Sequence, residues 1–237
     1  MARLPRLAVA GLAHLVVHRG LSGQGVFADD ADRWVYRSAL GLAAREAGVA
    51  LHAYGLDAGE VRLLATPESA TALGTMMQSV GRRYVRAFNL RHGRSGTPWD
   101  GRFRSTVIEL DRQFLPCLRF VELGDDEAPV APAACEASAG SSLAHHLGGR
   151  VDPLVSEHGA YWTLGNTPFE REATYRRYLE LPVDAGQLRR IRDATLKGWA
   201  LGSESFVASL AGITSRRPQA LKRGRPSLGA STAKRLD

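Results

Sequence analysis

Residues 49–67 read VALHAYGLDAGEVRLLATP: two strand-like runs, Val49–Leu56 and Glu60–Pro67, joined by the short turn Asp57-Ala58-Gly59. Apolar runs of this length around an Asp- and Gly-containing turn predict a β-hairpin. Upstream, Asp29 and Asp30 open a helical pattern that reaches Glu46 and stops at Gly48, and Leu12–His18 predicts an earlier strand. Downstream, a long helix is expected over 68–92. The turn-rich GRSGTPWDG (93–101) then leads into the strand-like RFRSTVIEL (102–110) and a helix over 111–123. The order is strand, helix, strand, strand, helix, strand, helix. Two split strand-helix-strand units close most simply into an α+β, ferredoxin-like four-stranded antiparallel sheet with helices on one face.

The composition changes after this point. Residues 1–123 form the expected ferredoxin-fold domain, and 124–155, rich in Ala, Pro, Ser and Gly, read as a linker. Helical patterns return over 156–212 as a small appendage, and 213–237 read as a basic tail with little to bury, hence disordered unless bound.

Charge is concentrated in two places. Between Met76 and Ser105 the chain carries Arg82, Arg83, Arg86, Arg91, Arg94, Arg102 and Arg104 against Asp100 alone, interleaved with Tyr84, Phe88, Trp99 and Phe103. From Ser215 to the end, seven Lys and Arg face only Asp237. The chain as a whole is +7, so outside these two basic segments it is mildly acidic. Clustered positive charge is the footprint of a polyanion partner, and aromatic faces offer platforms for unpaired bases. DNA is the expected partner, with Trp99 or Phe103 as stacking candidates. In the tail, Arg223-Gly224-Arg225-Pro226 resembles an AT-hook core, suited to the narrow minor groove of A·T-rich duplex.

Other classes are set aside on equally simple grounds. Cys117 and Cys135 lack metal-type spacing and are expected as ordinary thiols, which suits a reducing cytoplasm, with the chain associated with the nucleoid. The run after Arg3 and Arg6, LAVAGLAHLVV, imitates a signal peptide, but His14 interrupts it and Arg19 closes it. No stretch is long enough to span a membrane. His14 and His52 are expected in the sheet or core, and the adjacent His145 and His146 on a surface loop.

Several blocks together resemble the REP-associated tyrosine transposases, a family of small HUH-type single-strand transposases. They are MARLPRL from Met1, HAY at His52–Tyr54, GRRYVRAFN at Gly81–Asn89, SGTPWDGRFRS at Ser95–Ser105, RFVEL at Arg119–Leu123, GWALGSESF at Gly198–Phe206, and KRGRP near the end. The resemblance implies a ferredoxin-like catalytic domain acting on hairpin-bearing single-stranded DNA. In that family two histidines separated by one hydrophobic residue hold a divalent metal, and a helix tyrosine attacks the phosphodiester. Residues i and i+2 of a strand share one side, so two imidazoles there can grip one ion.

This chain departs from the pattern at each chemical position. Where the family has Asn-His-hydrophobic-His-Leu-Leu, the sequence reads Gly59-Glu60-Val61-Arg62-Leu63-Leu64, so Glu60 and Arg62 replace the metal ligands. Where the family has its tyrosine, the sequence has Phe120, and Gly124-Asp125-Asp126 follows in place of Asn-Pro-Val. The leading expectation is therefore a transposase-family DNA-binding protein that does not cut, with no cofactor and with Arg82, Arg83, Arg86, Arg91, Arg94, Trp99, Arg102, Phe103, Arg104, Arg223 and Arg225 facing DNA. One alternative is an active transposase with a rearranged site, using Mg²⁺ or Mn²⁺, Glu60 as a ligand and Tyr54 or Tyr84 as nucleophile. The other is a decaying remnant.

Overall fold

The computed structural model describes residues 6–22, 24–125, 140–214 and 216–220. Four strands, β1 (His14–Arg19), β2 (Val49–Asp57), β3 (Glu60–Pro67) and β4 (Arg104–Val107), form one antiparallel sheet in the order β2-β3-β1-β4. Helix α1 (Asp30–Ala47) connects β1 to β2, and α2 (Ala72–His92) connects β3 to β4. That connectivity is the ferredoxin-like arrangement expected from the order of elements, and the strand order agrees with it.

Local chemistry sets most of the boundaries. The Asp29 side chain caps α1 by accepting the Asp32 N–H, and Gly48 ends the helix at φ 65, a left-handed conformation that costs glycine little. Helix α2 starts four residues later than expected, at Ala72, because 68–71 are taken up by a turn, and it stops at Gly93, again left-handed. Strand β4 is shorter than its apolar run suggests, since Leu110 already begins α3 (Leu110–Leu123).

Helices are expected on one face, but both are covered, by α1 and α2 on one side and by α3 on the other, which is why the hairpin sequence is so nearly apolar throughout. Alternate residues Val61, Leu63 and Ala65 of β3, with Val16 of β1, face a first core shared with α1 and α2. Leu64, Leu15 and Val17 face a second core that contains Phe114, Leu118, Phe120 and Val121 of α3. A β-bulge between Leu51 and Ala53 lets Leu51 and Tyr54 face the first core while Ala53 faces the second.

Residues 159–213 fold into α5 (Gly159–Trp162), α6 (Pro168–Glu180), α7 (Ala185–Lys197) and α8 (Glu204–Ile213), after the short α4 (Leu143–His146). Tyr161, Tyr175, Leu179, Leu188 and Ile191 of this region share the second core with α3. The stretch read as a linker is, over 140–155, laid along β2: Leu56 donates to the Gly140 carbonyl at 2.7 Å and Ser142 to the Tyr54 carbonyl at 3.0 Å. Buried Asp152 fastens the same stretch by accepting from Tyr54 Oη at 2.6 Å and Arg37 Nη2 at 2.8 Å. At the opposite edge of the sheet, Leu201 exchanges hydrogen bonds with Val107 and Glu109 beside β4. Residues 126–139, with Cys135, and 221–237, with Arg223 and Arg225, lie outside the described residues; Cys117 is buried.

His14 and His52 are buried in the sheet as expected, but His146 is not on a surface loop: it is 1% exposed and packs against α3. Burial holds the imidazoles of His14, His18 and His52 down at about 4. An unfolded chain protonates these groups near the ordinary value of about 6.5 and so binds more protons than the folded chain between the two values. Folding stability is thus expected to fall as pH drops from about 6.5 toward 4, by up to about 1.4 kcal/mol per pH unit for each histidine. Urea denaturation at a series of pH values measures it, and a flat profile contradicts it. Gly55 of β2 tests the close approach of α3: a Cβ there lies 2.1 Å from the Val121 carbonyl oxygen. Gly55→Ala is expected to cost about 1–3 kcal/mol in the same assay.

Candidate nucleic-acid interface

The fold brings together the three positions that the sequence singles out. Glu60 and Arg62 sit on β3, and Phe120 on α3 packs over that sheet face, so the Arg62 guanidinium lies 5.8 Å from the Phe120 ring. Arg192 of α7 approaches the same ring at 5.3 Å. Positions some sixty residues apart in sequence thus form one local cluster.

Its chemistry is an ion-pair network. Arg62 is 2% exposed and donates through Nε to the Val121 carbonyl at 3.1 Å and through Nη1 to Asp57 and to Glu60, the latter at 3.4 Å. Glu60 also accepts from Arg19 Nε at 2.9 Å and Arg192 Nη1 at 3.3 Å, and Arg192 Nε reaches Asp125 at 2.9 Å. Three arginines therefore meet three carboxylates, and the cluster is neutral. Glycine at 55 leaves the space that the Arg62 guanidinium needs. A divalent ion does not fit these residues, because a fixed cation already holds the carboxylates and repels a second one. No group of three or more His, Cys, Asp or Glu among the described residues is placed to hold a metal.

The two tyrosines considered as nucleophiles are core residues. Tyr54 donates to Asp152 and Tyr84 to the Val26 carbonyl; both are 0% exposed, and burial pushes both phenols well above their usual range. Neither can present an oxygen to a phosphodiester from this position.

The arginine-rich stretch separates into two groups. Arg91 pairs with Asp29 and Asp32 at the start of α1, and Arg83 with Glu46 near its end, so these two tie α2 to α1. Arg94 donates to Gln24 at 2.6 Å. Arg82 and Arg86, one helical turn apart on α2, are exposed, as are Arg102 and Arg104, and among the described residues none of these four has a carboxylate partner.

The aromatic residues of the stretch do not face solvent. Trp99 is 4% exposed and stacks on His18 with ring centroids 4.1 Å apart, while Phe103 is 7% exposed beneath the Arg6 guanidinium at 3.7 Å. Tyr84 and Phe88 complete the first core. The stacking role expected of Trp99 or Phe103 is corrected by burial: both rings belong to the first core rather than to the surface.

Arg102 and Arg104 instead line a cleft of about 240 Å³ with Arg6, Lys197, Trp199 and Arg216. The last three come from far along the chain, and only the covering of the β4 edge brings them there: Thr106 donates to the Trp199 carbonyl, and Ala200 to Pro218 at 2.8 Å. Sequence reading missed them. Arg216 stood out only as one charge of the basic tail and Trp199 only as part of the GWALGSESF block, and neither signal marks a position beside β4.

No family model and no curated protein matches the chain. Among solved structures, a REP-associated tyrosine transposase bound to a REP hairpin is similar at 11% identity and a TM-score of 0.49, over 68% of this chain and 96% of that one. A provisionally named transposase from Deinococcus radiodurans R1 is similar at 20% identity and a TM-score of 0.35, over 48% of this chain and 93% of that one.

Removing Arg62 empties the space beneath α3 and takes the donor from the Val121 carbonyl, while Glu60 keeps Arg19 and Arg192. Arg62→Ala is expected to cost about 2–4 kcal/mol in denaturant unfolding, while Arg83→Ala, which breaks an exposed pair, costs at most about 1 kcal/mol. Equal effects would show that the Arg62 cluster is no anchor.

Proposed function

We propose that this chain binds DNA, single-stranded or folded into a hairpin, and holds it without cutting it. The observation that carries the reading is the contrast between two populations of arginine. Arg62, at a position where the resembled family keeps its chemistry, and the neighbouring Arg19 and Arg192 are consumed by carboxylates. Arg82, Arg86, Arg102 and Arg104 stand exposed with no acidic partner among the described residues. An exposed guanidinium with no internal partner can give its hydrogen bonds to phosphate oxygens at little cost, whereas a paired one must first break its own contacts.

Cleavage by the family's route has no support in these residues. Phe120 offers no hydroxyl, and the neutral cluster around Arg62 offers neither a metal-binding face nor net charge for a scissile phosphate. Arg223 and Arg225 of the tail would add phosphate contacts, including to A·T-rich duplex, and such a protein would reside on the nucleoid.

Gel-shift titration with hairpin single-stranded DNA at several salt concentrations tests the reading. Binding is expected at low salt and should weaken steeply as salt rises. The Arg82→Ala/Arg86→Ala double variant should weaken it further and reduce the log–log salt slope by about 1.4, which is about 0.7 for each single-strand phosphate left without its arginine. No binding at low salt, or an unchanged slope, defeats the proposal. Incubation with Mg²⁺ or Mn²⁺ should yield no nicked DNA and no covalent protein–DNA adduct; an adduct would restore the rearranged transposase.

A further inference from the structure

We infer that the cleft beside β4 is a subsite for one nucleotide of an unpaired strand, its phosphate held by the arginines and its base placed against Trp199. The inference rests on the DNA-binding reading above and adds a location and a ligand chemistry to it.

Three observations converge. First, the cleft gathers Arg6, Arg102, Arg104, Lys197 and Arg216, and no acidic residue lines it. Lys197 pairs with Asp193 at 2.7 Å, while Arg102, Arg104 and Arg216 have no carboxylate within salt-bridge distance among the described residues. Three guanidinium groups without a carboxylate partner on one cleft wall favour an entering anion, which gains their attraction without displacing an internal ion pair.

Second, Arg216 is held short of its hydrogen-bonding capacity. Its guanidinium lies over the Trp199 ring at 5.3 Å, its Nε is buried without a hydrogen-bond partner, and burial lowers its basicity. The space it occupies is kept by Gly198, which ends α7 at φ 68: a Cβ there would stand 3.0 Å from Arg216 Nη2. A phosphate is the ligand that answers an under-bonded guanidinium, through charge-assisted bonds in a fork geometry.

Third, Trp199 is the aromatic that the buried rings of the arginine-rich stretch are not. It is half-buried and lines the cleft, with its backbone fixed by the Thr106 hydroxyl. Phosphate donors beside an indole match a nucleotide, and stacking on an indole needs a base that is not already paired.

Fluorescence anisotropy with two labelled DNAs tests this: a blunt hairpin, and the same hairpin carrying a short single-stranded extension. Wild type should bind the extended DNA more tightly. Trp199→Ala and Arg216→Ala should each erase about tenfold of affinity for the extended DNA while changing blunt-hairpin affinity by less than about twofold, and Trp199→Phe should restore most of the affinity. Gly198→Ala, which displaces Arg216 without removing charge, should behave like Arg216→Ala. Far-UV circular dichroism and thermal unfolding confirm that each variant is folded. Folded variants that bind both DNAs as wild type does, or that lose both equally, overturn the subsite. So does thymidine monophosphate or inorganic phosphate that competes as well as the strand, since the cleft would then be a small-molecule pocket. If wild type binds neither DNA, the DNA-binding reading itself fails.

Discussion

A buried guanidinium sets the register of the second layer on the sheet, within the apolar core that the two share. Arg62 projects from β3 into the space beneath α3, where it touches the carbonyl of Val121, the carboxylates of Asp57 and Glu60, and through Glu60 the Arg192 of α7. Burying a charge is costly, and the cost is offset only because partners from β2, β3 and two helices converge on it. That convergence fixes how α3 lies on the sheet and where α7 lies against α3. The course of α7 in turn sets Gly198 and Trp199 beside β4.

Polar anchoring recurs elsewhere in the second layer. Glu122, on α3 close to Phe120, is buried and accepts from Ser142 at 2.6 Å and Tyr175 at 2.8 Å, with the His146 ring nitrogen at 2.6 Å. Asp152 plays the same part for the strand edge through Tyr54 and Arg37. These contacts define where the irregular stretch 140–155 must lie, a task that apolar contact alone performs poorly because it has little directional preference.

The elements that could be read from the sequence are those whose signals are local. Asp29 and Gly48 bracket α1, the turn at 57–59 joins β2 to β3, and the apolar runs mark the strands, so the ferredoxin-like order follows from neighbours in the chain. Long-range contacts could not be read in this way. Nothing local tells whether Trp99 turns inward onto His18 or outward to a base, or that Ser142 and Asp152, in a stretch of loop-like composition, find partners on β2 and α1. The positions of Glu60, Arg62 and Phe120 were legible through family resemblance, and the fold does bring them together; the part played by Arg192 was not. The cleft was half legible: Arg102 and Arg104 stand out by composition, whereas Trp199 and Arg216 join them only after some ninety residues of chain have folded back.

The covering of both outer strands bears on self-association. Residues 140–142 occupy hydrogen-bonding groups of β2, and 199–201 do the same beside β4, so the sheet presents little open ladder to a neighbouring molecule. Two copies therefore have little opportunity to join their sheets into one, and any pairing between them must use side-chain surfaces such as the exposed Trp34 and Leu42 of α1. The segment that shapes the cleft thus also insulates one edge of the sheet against strand exchange, and 140–142 insulates the other.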